Sequence, residues 1–256
     1  MPVILSWNVA GRVRAVTAQA EALAERPADV VALQEIRAAA LAVWRRELEA
    51  LGYGHVVASD PPGTAPDRRL GVLIAAREPL DAVPSPPLPW PERHVAAVIE
   101  SGIELHNLHS PISSKREQVK VRTLEAVYEH LAPASERPRV LVGDLNTPQY
   151  ESREGEVQTF ARTRSGRIRP QFGERHDAAE LALIVGLRQH GYVDAFRHLH
   201  GYLRRDRSWA YPTIPKAGYR LDHVICRGVA VHECDYVHEW RERRLSDHSA
   251  IWARVS

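Results

Sequence analysis

Several short apolar segments of the chain end in polar side chains that could act together on a phosphate ester. The segment Val140–Val142 leads directly into Gly143, Asp144, Leu145 and Asn146. Because alternate residues of an extended chain face the same side, Asp144 and Asn146 would present a proton acceptor and an amide donor to one phosphate. Taken alone, Asp-x-Asn beside Gly and Pro is more typical of a simple turn.

A second group of candidates lies near the C-terminus. Asp247 and His248 precede the last apolar segment, Ala250–Ala253, and could supply a metal-binding carboxylate and an imidazole for a developing oxyanion. Upstream, Arg220 and Asp222 share one face of a predicted strand, where Asp222 could orient His248 as the aspartate of a hydrolase triad does. The simpler alternatives are a helix or strand cap at Asp247 and His248, and a surface ion pair between Arg220 and Asp222.

Three more strand ends carry residues of the same kind, namely Asn8, Glu35 and His109. A carboxylate such as Glu35, at the mouth of a buried strand, needs a cation or a base as partner. Hard oxygen ligands favour Mg²⁺ or Mn²⁺ over zinc. A single histidine at a strand end carries little information, so His109 gains weight only because five other strand ends match it.

The elements that must position these residues alternate between short apolar runs and helix-period segments, which predicts an α/β fold. Neighbouring strands without a helix between them imply antiparallel pairs. The proline-rich stretch 79–91 predicts an extended surface loop. The expected strands are 3–9, 29–34, 54–58, 70–75, 94–99, 103–109, 140–142, 221–226 and 249–255, and the expected helices are 13–26, 37–51, 114–131 and 178–190.

Composition describes a globular chain of 256 residues with 44% hydrophobic residues and a formal net charge of +2. This supply of apolar residues suffices for a large core, and we expect a single domain, 1–256, and a monomer. Cys226 and Cys234 suggest neither a disulfide framework nor a cysteine metal site. The first apolar segment reads as a strand and not as a signal peptide, and no run is long enough to span a membrane, so we expect a cytoplasmic protein.

The order of these strand ends, Asn, Glu, His, Asp-x-Asn, Arg-x-Asp and Asp-His, resembles the endonuclease/exonuclease/phosphatase superfamily over essentially the whole chain. Asp194 to Arg197, followed by Trp209, is similar to the exonuclease III and apurinic endonuclease branch. His109 with Ser110 looks instead like the pancreatic-type deoxyribonucleases. The resemblance implies an α/β fold, a four-layer sandwich whose two mixed, largely antiparallel sheets pack between helices.

Site roles follow from the resemblance, residue by residue. It implies that Glu35 binds the metal, with Asn8 and Asp247 as further metal or phosphate contacts. Asp144 would orient or deprotonate the attacking water and Asn146 would hold a phosphoryl oxygen. His248, supported by Asp222, would donate to the transition state, and His109 completes the catalytic set.

Two positions depart from the family pattern. Nuclease relatives often carry a carboxylate two residues after the first Asn, whereas this chain has Ala10, which favours one metal ion over two. In the deoxyribonuclease branch a carboxylate supports the histidine, and Asp60 is a candidate for that role here, with a plain turn as the alternative.

We therefore expect a Mg²⁺- or Mn²⁺-dependent phosphodiesterase that acts on DNA. Arg164, Arg167 and Arg169, in a basic loop, would contact the substrate together with Trp209 and Arg220; the alternative for the loop is a solvated insertion. An alternative function is hydrolysis of small phosphate esters or lipid head groups. A catalytically silent binding module would require the loss of active-site residues that are all present.

Overall fold

The computed structural model describes residues 1–62, 68–112, 118–211 and 213–256, apart from the side chains of 215 and 216. The strands in these ranges are β1 (Val3–Asn8), β2 (Val30–Arg37), β3 (His55–Ala58), β4 (Leu70–Ala76), β5 (Leu80–Val83), β6 (His94–Ile99), β7 (Glu104–His109), β8 (Arg139–Asp144), β9 (Tyr150–Glu151), β10 (Val157–Gln158), β11 (Val193–Asp194), β12 (Trp209–Tyr211), β13 (Ile214–Tyr219), β14 (Asp222–Arg227), β15 (Val231–Val237) and β16 (Ala250–Val255). The helices are α1 (Val16–Glu25), α2 (Ala38–Ala50), α3 (Val119–Leu131), α4 (Glu174–Ile184), α5 (Ala195–His200) and α6 (Glu239–Glu242).

Two six-stranded sheets organise the described part of the chain. The first has the order β15-β16-β1-β2-β4-β3 and the second has the order β11-β14-β8-β7-β6-β5. In each sheet the central pair, β1 with β2 or β7 with β8, is parallel, and the other pairings are antiparallel. This arrangement confirms the expected mixed, largely antiparallel sheets.

Helical crossovers explain why the polar strand ends meet. The chain crosses from β1 through α1 to β2, and from β7 through α3 to β8, so the carboxyl ends of each parallel pair lie at one edge of their sheet. Two antiparallel strands begin at the same edges. Asp222, the first residue of β14, pairs with Asp144, the last residue of β8, while β16 begins beside the end of β1.

Three apolar clusters separate four layers. The central cluster joins inward residues of both sheets, such as Ile4 and Val142. A second cluster packs α1 and α2 on the outer face of the first sheet, with Trp7 and Trp44 fully buried. A third packs α3 and α4 on the outer face of the second sheet. The four-layer α/β sandwich expected from the sequence is therefore confirmed.

Several boundaries differ from the sequence expectations. Strand β5 occupies 80–83, inside the predicted proline-rich loop. It lies at the edge of its sheet, so the prolines that follow it do not interrupt hydrogen bonds between central strands. Helix α4 begins at Glu174, earlier than predicted. Its first turn contains the polar residues Glu174 and Asp177, so it lacks the spacing of apolar residues from which the helix was predicted. Strand β15 was not predicted at all. The start of the predicted helix 114–131 lies outside the described residues.

No helix among the described residues combines the length and the apolar character needed to cross a membrane.

Candidate active site

Asn8 links two carboxylates from different sheets. Its amide nitrogen donates to Glu35 Oε1 at 3.1 Å and to Asp144 Oδ2 at 3.0 Å. Its amide oxygen accepts from the backbone N–H of Ala10 at 2.9 Å. The sandwich thus brings the ends of β1, β2 and β8 into direct contact, as the resemblance implied, with Asn8 as a fully buried bridge.

Glu35 is turned toward this bridge by an irregularity in β2. Its φ of 61° lies in the left-handed region, and the pairing of β2 with β4 shifts register between Gln34 and Ile36. A bulge of this kind changes the direction of one side chain in an otherwise regular strand. The Glu35 carboxylate is 24% exposed and is therefore open to a ligand.

His248 and Asp222 form a buried pair next to Asp144. His248 Nδ1 donates to Asp222 Oδ2 at 2.8 Å, and His248 Nε2 lies 3.7 Å from Asp144 Oδ2. Burial alone would lower the pKa of His248, but the charges of Asp222 and Asp144 outweigh it and raise the pKa to about 10. His248 is consequently an imidazolium at neutral pH, with one N–H directed toward Asp144.

Asp144 lies at the centre of the site. Its Oδ1 accepts from the backbone N–H of Asn146 at 2.9 Å, while Oδ2 faces Asn8, His248 and His109. Burial raises the pKa of Asp144 to about 7, and the opposing charge of His248 limits the rise. A carboxylate whose pKa lies near neutrality is suited to accept a proton from water.

His109 completes the ring of polar groups, but its partner differs from the one considered. Its Nε2 lies 3.6 Å from Glu35 Oε1, and its Nδ1 lies 2.5 Å from Arg93 Nη1. Because a guanidinium can only donate, Nδ1 accepts and Nε2 carries the proton of a neutral imidazole. Burial, reinforced by Arg93 and His248, keeps the pKa of His109 well below its ordinary value. Asp60 is exposed and is not among the described contacts of His109, so the supporting carboxylate expected from the deoxyribonuclease branch is replaced by Arg93.

The loop after Asp144 is held from two sides. On one side, Lys120 Nζ donates to the carbonyl of Asn146 at 2.7 Å and pairs with Glu180, which also accepts from Thr147. On the other side, His223 Nε2 donates to the carbonyl of Thr147 at 2.9 Å. The side chain of Asn146 donates to the carbonyl of Ser110 at 2.7 Å, which fixes its position at the rim of the site.

Gly143 allows strands β7 and β8 to approach closely beside this loop. Its φ is 127°, and a Cβ atom there would lie 2.0 Å from the carbonyl oxygen of Leu108. Only glycine fits this position, because the backbone conformation and the close strand both exclude a side chain. The glycine before Asp144 therefore has a structural role in setting the direction of the catalytic loop.

Asp247 and Trp209 are neighbours at the edge of the site. Trp209 Nε1 donates to Asp247 Oδ2 at 3.1 Å, and a short backbone bridge joins Trp209 to His248. Trp209 also stacks on Tyr219 with ring centroids 5.8 Å apart. The structure thus places Asp247 beside an aromatic surface, and its described contacts do not include Glu35 or Asn8.

Arg220 does not lie where a substrate contact was expected. Arg220 is 4% exposed, and all three guanidinium nitrogens donate to carboxylates: Nε and Nη2 to Glu151, and Nη1 to Asp194. Asp194 also accepts from His223 Nδ1 at 3.0 Å. We correct the assignment of Arg220 from substrate contact to internal support, because the side chain is buried and three of its five N–H groups are bonded to carboxylates. The alternative surface pair with Asp222 is also excluded, since Asp222 is fully buried against His248.

The basic loop divides into paired and available arginines. Arg162 forms a bidentate contact with Asp177, and Arg175 forms one with Glu125. Arg164 and Arg167 are exposed, while the half-buried Arg169 donates to the carbonyl of Arg162 at 2.9 Å. Arg164 lines a groove of about 440 Å³ with Tyr219 and Tyr150. This places a positive charge next to the aromatic residues at the site edge.

The donor set suits a hard divalent cation. Among the described residues, Glu35 contacts Asn8 and His109 but no lysine or arginine, so its charge lacks a cationic partner. Asp222 Oδ1 is buried without a hydrogen-bond partner in the described part of the chain. Uncompensated carboxylate oxygens in a partly open site are what Mg²⁺ or Mn²⁺ binds.

A family comparison agrees with this geometry. Residues 5–248 match the Endonuclease/Exonuclease/phosphatase family. The chain belongs to this family. Membership confirms the enzyme class expected from the sequence, a phosphoesterase.

Solved structures share the family fold. An AP endonuclease from Archaeoglobus fulgidus aligns with a TM-score of 0.75 and 22% identity over 99% of each chain. The 3'-5' exonuclease NExo from Neisseria Meningitidis gives 0.74 and 21% over 98% of each chain. A 3' phosphatase NExo from Neisseria, bound to a product DNA hairpin, gives 0.71 and 21% over 100% of both chains. No curated protein sequence matches the chain significantly.

Four residues of the site could not be identified directly from the sequence: Arg93, Lys120, Glu180 and His223. One signal was available for Lys120: a lysine on the apolar face of a predicted helix requires a buried partner. That face of α3 packs on the second sheet, and Glu180 from α4 supplies the partner.

Proposed function

We propose that this chain is a Mg²⁺- or Mn²⁺-dependent phosphodiesterase that hydrolyses DNA. The observation that supports this most is the arrangement around Asp144, which lies between the Asn8–Glu35 pair and the Asp222–His248 pair. It combines a group that can accept a proton from water with donors for the oxygens of a phosphate. We further propose a single domain, a monomer and a cytoplasmic location, as expected from the sequence.

Glu35 would hold the metal, with Asn8 and the oxygen of Asp247 that Trp209 does not occupy as further ligands. When bound, the cation neutralises negative charge on the phosphate and lowers the pKa of water near it. The ligands come from β1, β2 and the loop before β16, so the rigid sandwich sets their separation. Such support from regular elements keeps a site in its reactive geometry.

The chain's own residues divide the hydrolysis between them. Asp144 accepts a proton from the attacking water while the oxygen of that water bonds to phosphorus. One P–O ester bond then breaks, and the leaving oxygen takes up a proton from solvent while Asp144 returns its own to solvent, which yields a phosphate monoester and an alcohol. The N–H groups of His248 and His109 stabilise charge on the phosphoryl oxygens, and Asn146 orients one of them. Asp222 fixes the tautomer and orientation of His248.

An extended surface next to the site favours a nucleic acid over a small phosphate ester. Trp209 joins the catalytic strand ends to Tyr219, and Tyr219 shares a groove with Arg164. Aromatic rings that lie next to an arginine can stack on the bases of a DNA strand while the arginine contacts its phosphates. The DNA hairpin bound by the Neisseria phosphatase is consistent with this choice.

Plasmid nicking and hydrolysis of a chromogenic phosphodiester, measured side by side with Mg²⁺, test this proposal. Wild-type protein should nick supercoiled DNA, whereas Asp144→Asn should lose at least about 100-fold in rate, as expected for a general base. The matched control is Asp81→Asn, an exposed aspartate on the edge strand β5. Efficient cleavage of the small ester without nicking would favour the small-molecule alternative and contradict a DNA substrate.

A further inference from the structure

A second group of metal-binding side chains lies far from the active site. Glu104 and His106 occupy alternate positions of β7, so both point to the same face of the second sheet. His130, in the last turn of α3, reaches the same point. Glu104 begins β7 and His109 ends it, so the extended strand separates His109 from His106 by about 10 Å and from Glu104 by about 16 Å.

The geometry converges on one carboxylate oxygen. His106 Nε2 lies 2.8 Å from Glu104 Oε1, and His130 Nε2 lies 3.9 Å from the same oxygen. One ligand atom from each of the three residues lies within 4.8 Å of the others. Among the described residues, His130 Nε2 is buried without a hydrogen-bond partner, so a donor nitrogen is directed into the cluster and remains unused.

From these contacts we propose that Glu104, His106 and His130 form a binding site for Zn²⁺ or a similar first-row transition ion. Two imidazoles and a carboxylate are a set such ions prefer, whereas Mg²⁺ prefers oxygen ligands. The site is independent of the proposed phosphodiesterase function. Its three protein ligands would leave coordination positions for water.

A neighbouring histidine can orient the ligand. His94 Nε2 lies 3.2 Å from His106 Nδ1, and His94 Nδ1 lies 2.8 Å from Ser85 Oγ. In the metal-free state, His106 Nε2 carries a proton bonded to Glu104. When Nε2 binds the ion, the proton resides on Nδ1 and is donated to His94, whose own proton moves to Nδ1 and is donated to Ser85. Each ring stays neutral, and the relay keeps His106 in position.

Arg139 is the one competing cation in the described surroundings of Glu104. Its Nε lies 3.0 Å from Glu104 Oε1 but has no hydrogen bond of proper geometry to it. Its Nη1 donates instead to the carbonyl of His130 at 3.1 Å, at the C-terminal end of α3. The partial negative charge of a helix C-terminus favours a cation at this position. Arg139 therefore divides its contacts between Glu104 and the end of α3.

Isothermal titration of the metal-free, full-length protein with Zn²⁺ tests the site. Wild type should bind one equivalent of Zn²⁺ more than His130→Gln does. If the variant still binds that equivalent, its affinity should be about 100-fold weaker, because a side chain that holds the ion has been removed. His130 is partly exposed, so this variant should fold. The matched control is His198→Gln, an exposed histidine in α5, which should behave as wild type.

Thermal unfolding gives a second measurement. Zn²⁺ should raise the melting temperature of wild type and of His198→Gln more than that of His130→Gln, because a ligand that binds only the native state stabilises it. Plasmid nicking by His130→Gln with Mg²⁺ should match wild type, which separates this site from the active site. Identical Zn²⁺ titrations for wild type and His130→Gln would overturn the proposal.

Discussion

His248 Nδ1 and Asp222 Oδ2 lie 2.8 Å apart in a fully enclosed contact at the junction of the two sheets. The backbone of Asp222 is held in place by Ser208, since its N–H donates to Ser208 Oγ at 3.0 Å. A buried carboxylate with one imidazole partner sets both the tautomer and the charge of that imidazole.

A double-mutant cycle on kcat measures this dependence. Asp222→Asn and His248→Ala should each cost a large and similar factor, and the double variant should cost little more, because Asp222 acts through His248. Circular dichroism of each variant controls for folding. Losses that multiply would show two independent roles and exclude Asp222 as the orienting partner.

Replacing Asp222 should shift the alkaline limb of the pH profile of kcat to lower pH. Asp144 must be ionised, so activity should rise through its pKa of about 7, and His248 must be protonated, so activity should fall as pH passes its pKa of about 10. Asp222→Asn removes a charge that raises the pKa of His248, so the alkaline fall should move to lower pH. An alkaline limb at the same pH in Asp222→Asn would contradict protonated His248 as the donor.

Asp144 should lower the stability of the free protein at neutral and alkaline pH. Its pKa of about 7 lies above the usual value of 3.8, so the native state disfavours its charged form. Below about pH 4, Asp144 is protonated in both the native and the unfolded state, so it costs the native state no stability. The loss of stability grows as pH rises and is complete above about pH 7. In EDTA, Asp144→Asn should therefore melt at a higher temperature than wild type at pH 8, by the equivalent of about 1–4 kcal/mol.

The difference between Asp144→Asn and wild type should shrink as pH falls toward 4, and Asp81→Asn should show no comparable gain at pH 8. A lower melting temperature of Asp144→Asn at pH 8 would mean that its hydrogen bonds to Asn146 and Asn8 outweigh the cost of burying its charge.

Charge removal in the basic loop tests the DNA surface. The double variant Arg164→Gln/Arg167→Gln should raise KM on DNA and reduce the slope of log KM against log salt, because fewer counterions are released. The matched control is Arg45→Gln/Arg137→Gln, two exposed arginines on α2 and before β8. Equal slopes of log KM against log salt for both double variants would mean that the loop is a solvated insertion that does not contact DNA.

Strand ends were the most predictable part of the site. Asn8, Glu35, His109, Asp144, Asp222 and His248 all meet, because the apolar runs before or after them mark strands whose order the family pattern fixes. The bulge at Glu35 could not be predicted, since it has no glycine or other local signal.

Partners that depend on tertiary packing were not predictable. Arg220 looked like a substrate contact, but Glu151 and Asp194 come from distant segments and enclose it. Arg93 follows a proline-rich stretch that suggested only a surface loop, yet a short 3-10 turn at Pro91–Arg93 brings it to His109. The histidine cluster around Glu104 was likewise hidden, because α3 contributes His130 from outside the strand pattern.

Metal dependence of plasmid nicking, measured for wild type and Glu35→Gln, tests the central claim most directly. EDTA-treated wild type should be inactive and should recover with Mg²⁺ or Mn²⁺; Glu35→Gln should fold normally but require much higher metal concentrations, while Glu49→Gln, an exposed residue of α2, should respond as wild type. Full turnover of wild type in metal-free buffer, or an unchanged metal titration in Glu35→Gln, would contradict a divalent-metal phosphodiesterase with Glu35 as its ligand.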